Sequence, residues 1–584
     1  MPDQKTPMPE ANSRVSLSLM ANEKELDYRF QVVSISVNKE FNKIAYAEIV
    51  LLDGDVALGD FEASNTDELL IGNKIKIQAG YDGHNETIFE GIIVKQTVKV
   101  DEETSNLIVT AKNKACKMAA TRRNEVYSDK SDSDIIGAII KRNGLDADVE
   151  DTSFVHESLT QYNCSDWDFI NMRAEVNSMP VYTKEDKIIV KKPDLKGEAK
   201  LEINYGSVIF DFQAEMDGSN AFTEYKATSW SYINQEEKSV SPQQSDAGET
   251  KQGNFSSSDL AKAMKNDTCK IPIQSSFTDE TELTGLLDSI VQRNNLSRIT
   301  GKVKTYGYAN IHPGDLIDLQ RVGDRFNGKT IVSGVEHEIS GGSWFTTIQF
   351  GIEKTEYAKK YDDINGLQAS GMLPSINGLQ TGKVQQISGD PLDEGRILVH
   401  LSNFASGENG VWARIATFYA GDERGFFFLP EPDDEVIVGF IDDHPDNAVI
   451  LGTLNGSKLP PPLKADDKNN IKGIYTRSKI KLEFDDDKKV FSVITPGENT
   501  IIISDDEKSI SLKDQNGNMI VMDGDGIKLK SDKKIVLEAS GDVSVSGNNV
   551  ELAAQGSFKA GGNSGAELST SASAVIKGSM VQIN

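Results

Sequence analysis

The C-terminal part of this 584-residue chain repeats short alternations of apolar and polar residues, interrupted by glycine, asparagine and aspartate. From Ile510 to Asn584 there is no proline, and an apolar residue returns at steps of about eight residues. A strand of about five residues followed by a tight turn fits this period. The recurring positions are Ile527, Ile535, Val543, Val550 and Phe558, and the first three are followed two residues later by Leu529, Leu537 and Val545.

Such strands cannot form a stable fold within one chain. Between Lys559 and Asn584 the large apolar residues are few and none is aromatic. Burial of so little apolar surface does not offset the conformational entropy lost on ordering the segment. The repeat therefore predicts several identical chains that stack the same strands around a shared axis.

The charge of the chain argues against one class of partner. The formal net charge is −28, with 38% hydrophobic and 26% charged residues, and the isoelectric point is about 4.7. An acidic surface repels phosphate, so we expect no nucleic-acid partner. The length predicts about three to five domains with real cores.

The chain shows no sign of an exported or membrane-spanning protein. Cys116, Cys164 and Cys269 form no CxxC pair and no disulfide framework, which fits folding in a reducing cytoplasm. We find no signal peptide near Met1, and no window approaches the roughly twenty apolar residues of a membrane span. We expect synthesis and assembly in the cytoplasm, and export by another route.

The N-terminal part predicts strands interrupted by capped helices. Dense strands across residues 14–127 favour a first β-barrel. Helices are predicted after the caps at Ser131, Ser165 and Asp279. Residues 234–258 are rich in Gln, Ser, Glu and Gly and predict a surface loop or a disordered insertion. Strands between residues 301 and 350 predict a second barrel.

A search for catalytic and metal-binding motifs is mostly negative. The six histidines include no HExxH pair, and no Walker motif, GxGxxG fingerprint or GxSxG elbow is present. His312 and His444 lie in turn-rich sequence and are interpreted as loop residues. The segment Asp514–Asn518 is a better hairpin than a calcium loop. We therefore predict no catalytic residue, no cofactor and no metal site. The abundant carboxylates, as at Asp433–Glu435 and Asp485–Asp487, leave a glycosidase pair as an open alternative.

The segment from Gly382 onward carries a series of motifs in a fixed order. This order resembles the OB-like barrel of VgrG proteins and of the central spikes of contractile phage tails. Segments around Trp167, His312 and His337 resemble the hub of the same family. The motifs of the OB-like barrel are Asp390-Pro391 with Gly395-Arg396, Val411-Trp412, Gly425 to Pro430, Asp434-Glu435 and Asp446 to Gly452.

The resemblance implies a mainly β protein that works as a homotrimeric spike. Its expected domains are a tail-hub-like domain at 1–375 (two β-barrels, an α/β insert and a flexible loop at 234–258), an OB-like barrel at 376–456, a linker at 457–470, and a triple-stranded β-prism needle at 471–584. The predicted needle core is Ile527, Leu529, Ile535, Leu537, Val543, Val545, Val550, Leu552 and Phe558.

In this family the spike connects a tail tube of Hcp-like protein and baseplate proteins to a PAAR-like tip protein, and it carries effectors and touches the target membrane during puncture. By resemblance, the docking surface for the tip protein is predicted at Met580, Val581, Ile583 and Asn584. The alternative is that these residues only complete the prism.

Two rival functions stay open at this level. One is a polysaccharide- or peptidoglycan-degrading tailspike enzyme, and the other is a trimeric adhesin. Only 14 residues separate the barrel from the needle, and the chain stops within the strand pattern, so we expect no enzyme domain in either place. The type of machine is also open among a phage tail, a type VI secretion apparatus and an extracellular particle.

Overall fold

The computed structural model describes residues 6–27, 29–184, 187–231, 234–243, 247–273, 279–405 and 409–583. The fold is mainly β, with 12% helix and 40% strand. Two compact units are present, one of Met1–Leu379 with Gly439–Ala448 and one of Gln380–Val438 with Val449–Asn584. None of the described helices is long and apolar enough to cross a bilayer.

The first strands form an antiparallel series around an apolar core. Alternate residues point inward, as in Ile35 and Val37, which are 2% and 0% exposed. The strands are β1 Val15–Ala21, β2 Lys24–Glu25, β3 Val32–Glu40, β4 Tyr46–Leu52, β5 Lys74–Tyr81, β6 His84–Val100 and β7 Ser105–Lys112.

A helical insert follows and has a core of its own. Its elements are β8 Arg122–Ser131, α1 Asp132–Arg142, β9 Asp146–Val149, β10 Val155–Ser165, α2 Asp166–Val176, β11 Val181–Lys184 and β12 Lys187–Val190. Ser131 caps α1 in a reciprocal capping box with Asp134, and Ser165 caps α2 by accepting the backbone N–H of Asp168. Both predicted caps are confirmed. Ile135, Ile136, Ile139 and Ile140 are buried in the core of this insert.

The second half of the first unit returns to strands. Its elements are β13 Leu201–Asn204, β14 Asp211–Met216, β15 Glu224–Ser231, β16 Glu236–Val240, α3 Ser257–Met264, β17 Thr268–Ile273, α4 Glu280–Leu296, β18 Ile299–Tyr306, β19 Leu316–Gln320, β20 Gly328–Ser340, β21 Ser343–Phe350 and α5 Tyr357–Lys360. Asp279 caps α4 as predicted, since its carboxylate accepts the N–H of Thr281.

The strands assigned to the two hub barrels are joined into one thirteen-stranded sheet. The junction is the antiparallel pair of β3 and β20, in which Val37 lies opposite His337. Two separate apolar cores lie on this sheet, one around Ile49 and Ile77 and one around Val303 and Phe350.

Residues 234–258 differ from the predicted free loop, in the part that is described. Strand β16 pairs with β15, and Gln252 is only 2% exposed. The reason is the buried guanidinium of Arg298, which donates to the carbonyl oxygens of Gln252, at 3.0 Å, and Phe255. A buried cation needs hydrogen-bond acceptors, and here the acceptors are backbone carbonyls of the polar segment. These hydrogen bonds hold the segment against the rest of the fold.

The second unit begins with a closed five-stranded barrel in the order β22-β23-β24-β28-β27. The elements are β22 Gln380–Gln386, β23 Ile397–Leu401, β24 Val411–Ile415, β25 Ala420–Gly421, β26 Arg424–Gly425, β27 Glu435–Phe440 and β28 Ala448–Leu454. Val399, Val438 and Ile450 lie in its core. The carboxylate of Asp390 accepts the backbone N–H groups of Leu392, Glu394 and Arg396, so this motif builds a tight turn.

A seven-stranded antiparallel meander follows the barrel. Its strands are β29 Ile471–Tyr475, β30 Lys481–Asp485, β31 Val490–Ile494, β32 Thr500–Ser504, β33 Ser509–Lys513, β34 Met519–Asp523 and β35 Gly526–Lys530. The first strand begins at Ile471, where the sequence places the start of the needle. Residues 531–583 contain no helix or strand within this chain.

Candidate assembly site

The register of the C-terminal meander puts two continuous rows of apolar side chains on one side of the sheet. Residues directly opposite each other on neighbouring antiparallel strands share a face. The first row is Ile474, Leu482, Val493, Ile501, Leu512, Ile520 and Leu529, and the second is Lys472, Phe484, Phe491, Ile503, Ile510, Met522 and Ile527. We call this surface, apart from Lys472, the apolar face.

The opposite side of the same sheet is mixed. Its central row is Gly473, Glu483, Ser492, Ile502, Ser511, Val521 and Lys528. Charged and hydroxyl side chains alternate with apolar ones in this row, as expected of a surface that meets water. The sheet is therefore amphipathic, with one apolar side and one mixed side.

The apolar face is not covered within the described part of the chain. Phe484 is 45% exposed, and Ile501 and Ile503 are each 43% exposed. Phe484 and Phe491 pack against each other with ring centroids 5.2 Å apart. Seven strands at a spacing of about 4.8 Å make this face roughly 30 Å long. Contiguous exposed apolar surface of this size marks a site of association.

The segment Asp514–Asn518 forms the turn of the hairpin between β33 and β34. Asp514 accepts the backbone N–H groups of Asn516 and Asn518, at 2.9 and 2.8 Å, and Gly517 has a positive φ of 84°. The hydrogen bond from the Asn518 side chain is the main reason why the pKa of Asp514 is lowered. The hairpin interpretation is confirmed. Across the described ranges, no group of three or more His, Cys, Asp or Glu side chains is placed to hold a metal ion.

The structure brings together only part of the predicted needle core. Ile527 and Leu529 lie at the end of the apolar face. The other seven predicted residues, from Ile535 to Phe558, lie beyond the last strand and are all more than half exposed. Met580, Val581 and Ile583 are exposed as well, and Asn584 lies outside the described residues.

Sequence reasoning missed most of the apolar face. The signal was present, because each of the strands β30 to β35 carries two apolar residues separated by one position, as the later repeats do. The pairs begin at Leu482, Phe491, Ile501, Ile510, Ile520 and Ile527. Their spacing is nine to ten residues up to Ile520. The next step, of seven residues to Ile527, still spans the hairpin between β34 and β35, and steps of seven to eight residues continue beyond the last strand.

The first unit contains buried basic groups that sequence reasoning did not single out as a set. His337 lies fully buried in β20, with its Nδ1 2.9 Å from the hydroxyl oxygen of Thr346. Burial lowers the pKa of His337 well below its usual value and that of His312 to about 3, and it lowers the pKa of Lys39 to about 8. His312 and His444 lie in turns, as expected.

Two family models match the chain. Residues 11–341 match the Alg8 N-terminal domain, and residues 380–454 match the type VI secretion system/phage-baseplate injector OB domain. The second match covers the closed barrel from β22 to β28.

The curated relatives include spike proteins of the type VI secretion system. The type VI secretion system spike protein VgrG1a of Pseudomonas aeruginosa is 26% identical over 167 residues, which are 26% of this chain and 26% of that protein. The actin cross-linking toxin VgrG1 of Vibrio cholerae is 28% identical over 96 residues, 15% of this chain and 9% of the toxin. The chain thus matches about a quarter or less of the length of these relatives.

Among solved structures, an Escherichia coli component of the type VI secretion system has a TM-score of 0.38 at 12% identity and covers 75% of this chain and 99% of its own. A tail protein from Neisseria meningitidis has a TM-score of 0.42 at 11% identity, with 60% and 99% covered. The longest family match spans more than half of the sequence. The chain therefore belongs to the family of the Alg8 N-terminal domain, and with its injector OB domain it resembles the VgrG spike proteins.

Proposed function

We propose that this protein is a homotrimeric spike at the tip of a contractile injection machine. The observation that carries the proposal is the apolar face of the meander, where ten of the thirteen side chains are more than a third exposed in the described chain. Three copies with these faces turned toward a common axis would form a prism with a dry core. Covering the exposed remainder of each side chain contributes roughly 1 kcal/mol, so each copy gains on the order of 10 kcal/mol.

The repeats after Lys530 continue the prism with strands shared between copies. The i, i+2 apolar pairs persist at Ile535 with Leu537, while the intrachain partners end. A strand without an intrachain neighbour satisfies its backbone groups in a second copy. The needle core proposed from the sequence, Ile527 to Phe558, then extends the same axis. The domain limits 1–375, 376–456, 457–470 and 471–584 are part of this proposal.

The spike connects a tail tube and baseplate to a piercing tip. The injector OB domain and the VgrG names of the relatives support this placement. An Hcp-like tube protein and baseplate proteins would contact the hub, and effectors would travel with the spike when it punctures a target envelope. The protein would be assembled in the cytoplasm and leave the cell on the machine, without enzymatic activity of its own.

A needle that is driven through an envelope must unfold slowly under force. A prism whose three chains are interlocked unfolds only when all three separate, so its resistance is kinetic. We expect the trimer to survive detergent and urea concentrations that unfold ordinary domains. Electrophoresis in detergent without heating tests this expectation, and migration as a monomer would contradict the proposed needle.

The C-terminal end is the proposed docking surface for a PAAR-like tip protein. Met580 and Ile583 are 83% and 87% exposed, and Val581 is about half exposed. Removal of residues 579–584 should abolish binding of the purified tip protein and leave the trimer intact. Removal of an equal number of residues at 6–11, as the control, should leave tip binding unchanged. Retained binding would show that these residues only finish the prism.

The alternative function is that of a tailspike enzyme that degrades polysaccharide or peptidoglycan. Abundant carboxylates, such as Asp485 and Asp486, keep this alternative open. A zymogram on cell-wall and capsule substrates decides between the two. Clearance by the purified trimer would replace the structural proposal, and the spike predicts none.

A further inference from the structure

The barrel of the second unit carries an aromatic hairpin that takes no part in the barrel core. It runs from Phe418 to Phe428 and contains the short strands β25 and β26. Phe418 is 99% exposed and Phe427 is 85% exposed, and the other three aromatic side chains are all more than half exposed. Its aromatic residues are Phe418, Tyr419, Phe426, Phe427 and Phe428.

The aromatic hairpin is preformed. Ala420 lies opposite Gly425 in a two-stranded ladder, and the N–H of Phe426 donates to the carbonyl of Tyr419 at 2.9 Å. The Phe418 and Phe426 rings contact edge to face with centroids 6.2 Å apart, and Phe426 and Phe428 lie 6.3 Å apart. Because these aromatic side chains are already positioned, little conformational entropy is lost when a partner covers them.

The exposed area is large enough to be an interface. Five aromatic side chains at these exposures present on the order of 700 Å² of surface. A stable protein interface takes roughly 800 Å² from each partner. Aromatic anchors of this kind dominate the energetics of interfaces and are rare in such numbers on the surface of a monomer.

The position of the aromatic hairpin in its unit indicates what covers it. Glu431, three residues after Phe428, accepts an ion-pair hydrogen bond of 2.8 Å from Arg477. Arg477 lies in the turn between β29 and β30, the first two strands of the meander that carries the apolar face. The aromatic surface is thus tied directly to the start of the proposed trimer interface.

We propose that the aromatic hairpin of each copy packs against a second copy of this chain and forms an aromatic collar around the three-fold axis. This proposal rests on the proposed function, because it takes the trimer of the needle as its frame. The collar extends the interface from the meander onto the barrel, so that the barrels are fixed to one another above the prism.

Accessibility of a single thiol tests the collar. The Phe427→Cys variant of the full chain is treated with a maleimide, and labelling at residue 427 is measured by mass spectrometry. We expect labelling in the trimer about tenfold slower than in the same variant carrying Ile501→Ser and Ile503→Ser, both measured at a urea concentration at which the double substitution gives a monomer and the parent is still a trimer. The control is Leu392→Cys, a 66% exposed residue of the same barrel, which should react at equal rates in both backgrounds.

The outcomes separate this inference from the proposed function. If Phe427→Cys in a verified trimer reacts as fast as Leu392→Cys, the collar is refuted while the trimer stands. Protection that persists in the dissociated background would show cover within one chain and would also refute it. A full chain that is monomeric before any substitution would refute the proposed function itself.

Discussion

A pair of substitutions on β32 distinguishes a chain that folds alone from one that folds as a trimer. Ile501 and Ile503 lie on the apolar face and are each 43% exposed within the chain, whereas Ile502 lies on the opposite side and is less exposed. In an isolated chain, replacement of Ile502 by serine should therefore cost more than replacement of either neighbour. Burial of the apolar face by two other copies reverses this order.

The size of the effect follows from the number of buried side chains lost. Removing a buried isoleucine side chain costs about 2 to 5 kcal/mol. With two substitutions in each of three chains, the Ile501→Ser/Ile503→Ser variant loses on the order of 12 kcal/mol or more per trimer. Per copy this is a loss of about 4 kcal/mol or more, a large part of the gain of on the order of 10 kcal/mol per copy from covering the apolar face.

Sedimentation velocity across a range of urea concentrations measures the outcome. We expect the double variant to sediment as a monomer at urea concentrations where the wild type is a trimer. The Ile502→Ser variant, as the matched control, should stay close to the wild type. If Ile502→Ser dissociates the protein more readily than the double variant, the assignment of the apolar face to an interface is wrong.

Other predictions concern the barrel, the hub and the buried segment. Asp390→Ala removes the acceptor of three backbone N–H groups, so the melting temperature of the barrel should fall, while Glu394→Ala should leave it unchanged. Burial lowers the pKa of His312 to about 3. Between about pH 6.5 and pH 3 the unfolded chain therefore binds a proton at His312 that the folded chain does not bind. The free energy of unfolding should fall as the pH drops through this range. His312→Gln should flatten that slope in thermal melts, and an unchanged slope would contradict it. Arg298→Ala should make residues 250–255 sensitive to cleavage by thermolysin. Resistance equal to that of the wild type would show that the guanidinium does not hold the segment.

The sequence predicted those features that are encoded locally. The caps at Ser131 and Ser165 need only a side chain three residues before its backbone partner, and the strand β4 follows from alternation alone. The barrel could be predicted because its motifs follow one another in a fixed order from Gly382 to Gly452.

Features that depend on distant pairing were not accessible from sequence. The pairing of β3 with β20 joins residues about three hundred positions apart, and no local pattern encodes it. The segment 247–258 is polar and therefore predicted a loop. The residue that holds it, Arg298, follows three intervening elements, α3, β17 and α4, and no local pattern links the two. The apolar face required the register of seven strands, which the sequence period alone does not give.

The mass of the native full-length protein tests the central claim most directly. One chain has a mass of 63.9 kDa, so the trimer has three times that mass, about 192 kDa. Native mass spectrometry of the purified protein should show this trimer as the main species at micromolar concentration. A main species at 63.9 kDa would contradict the account of the apolar face as a shared core.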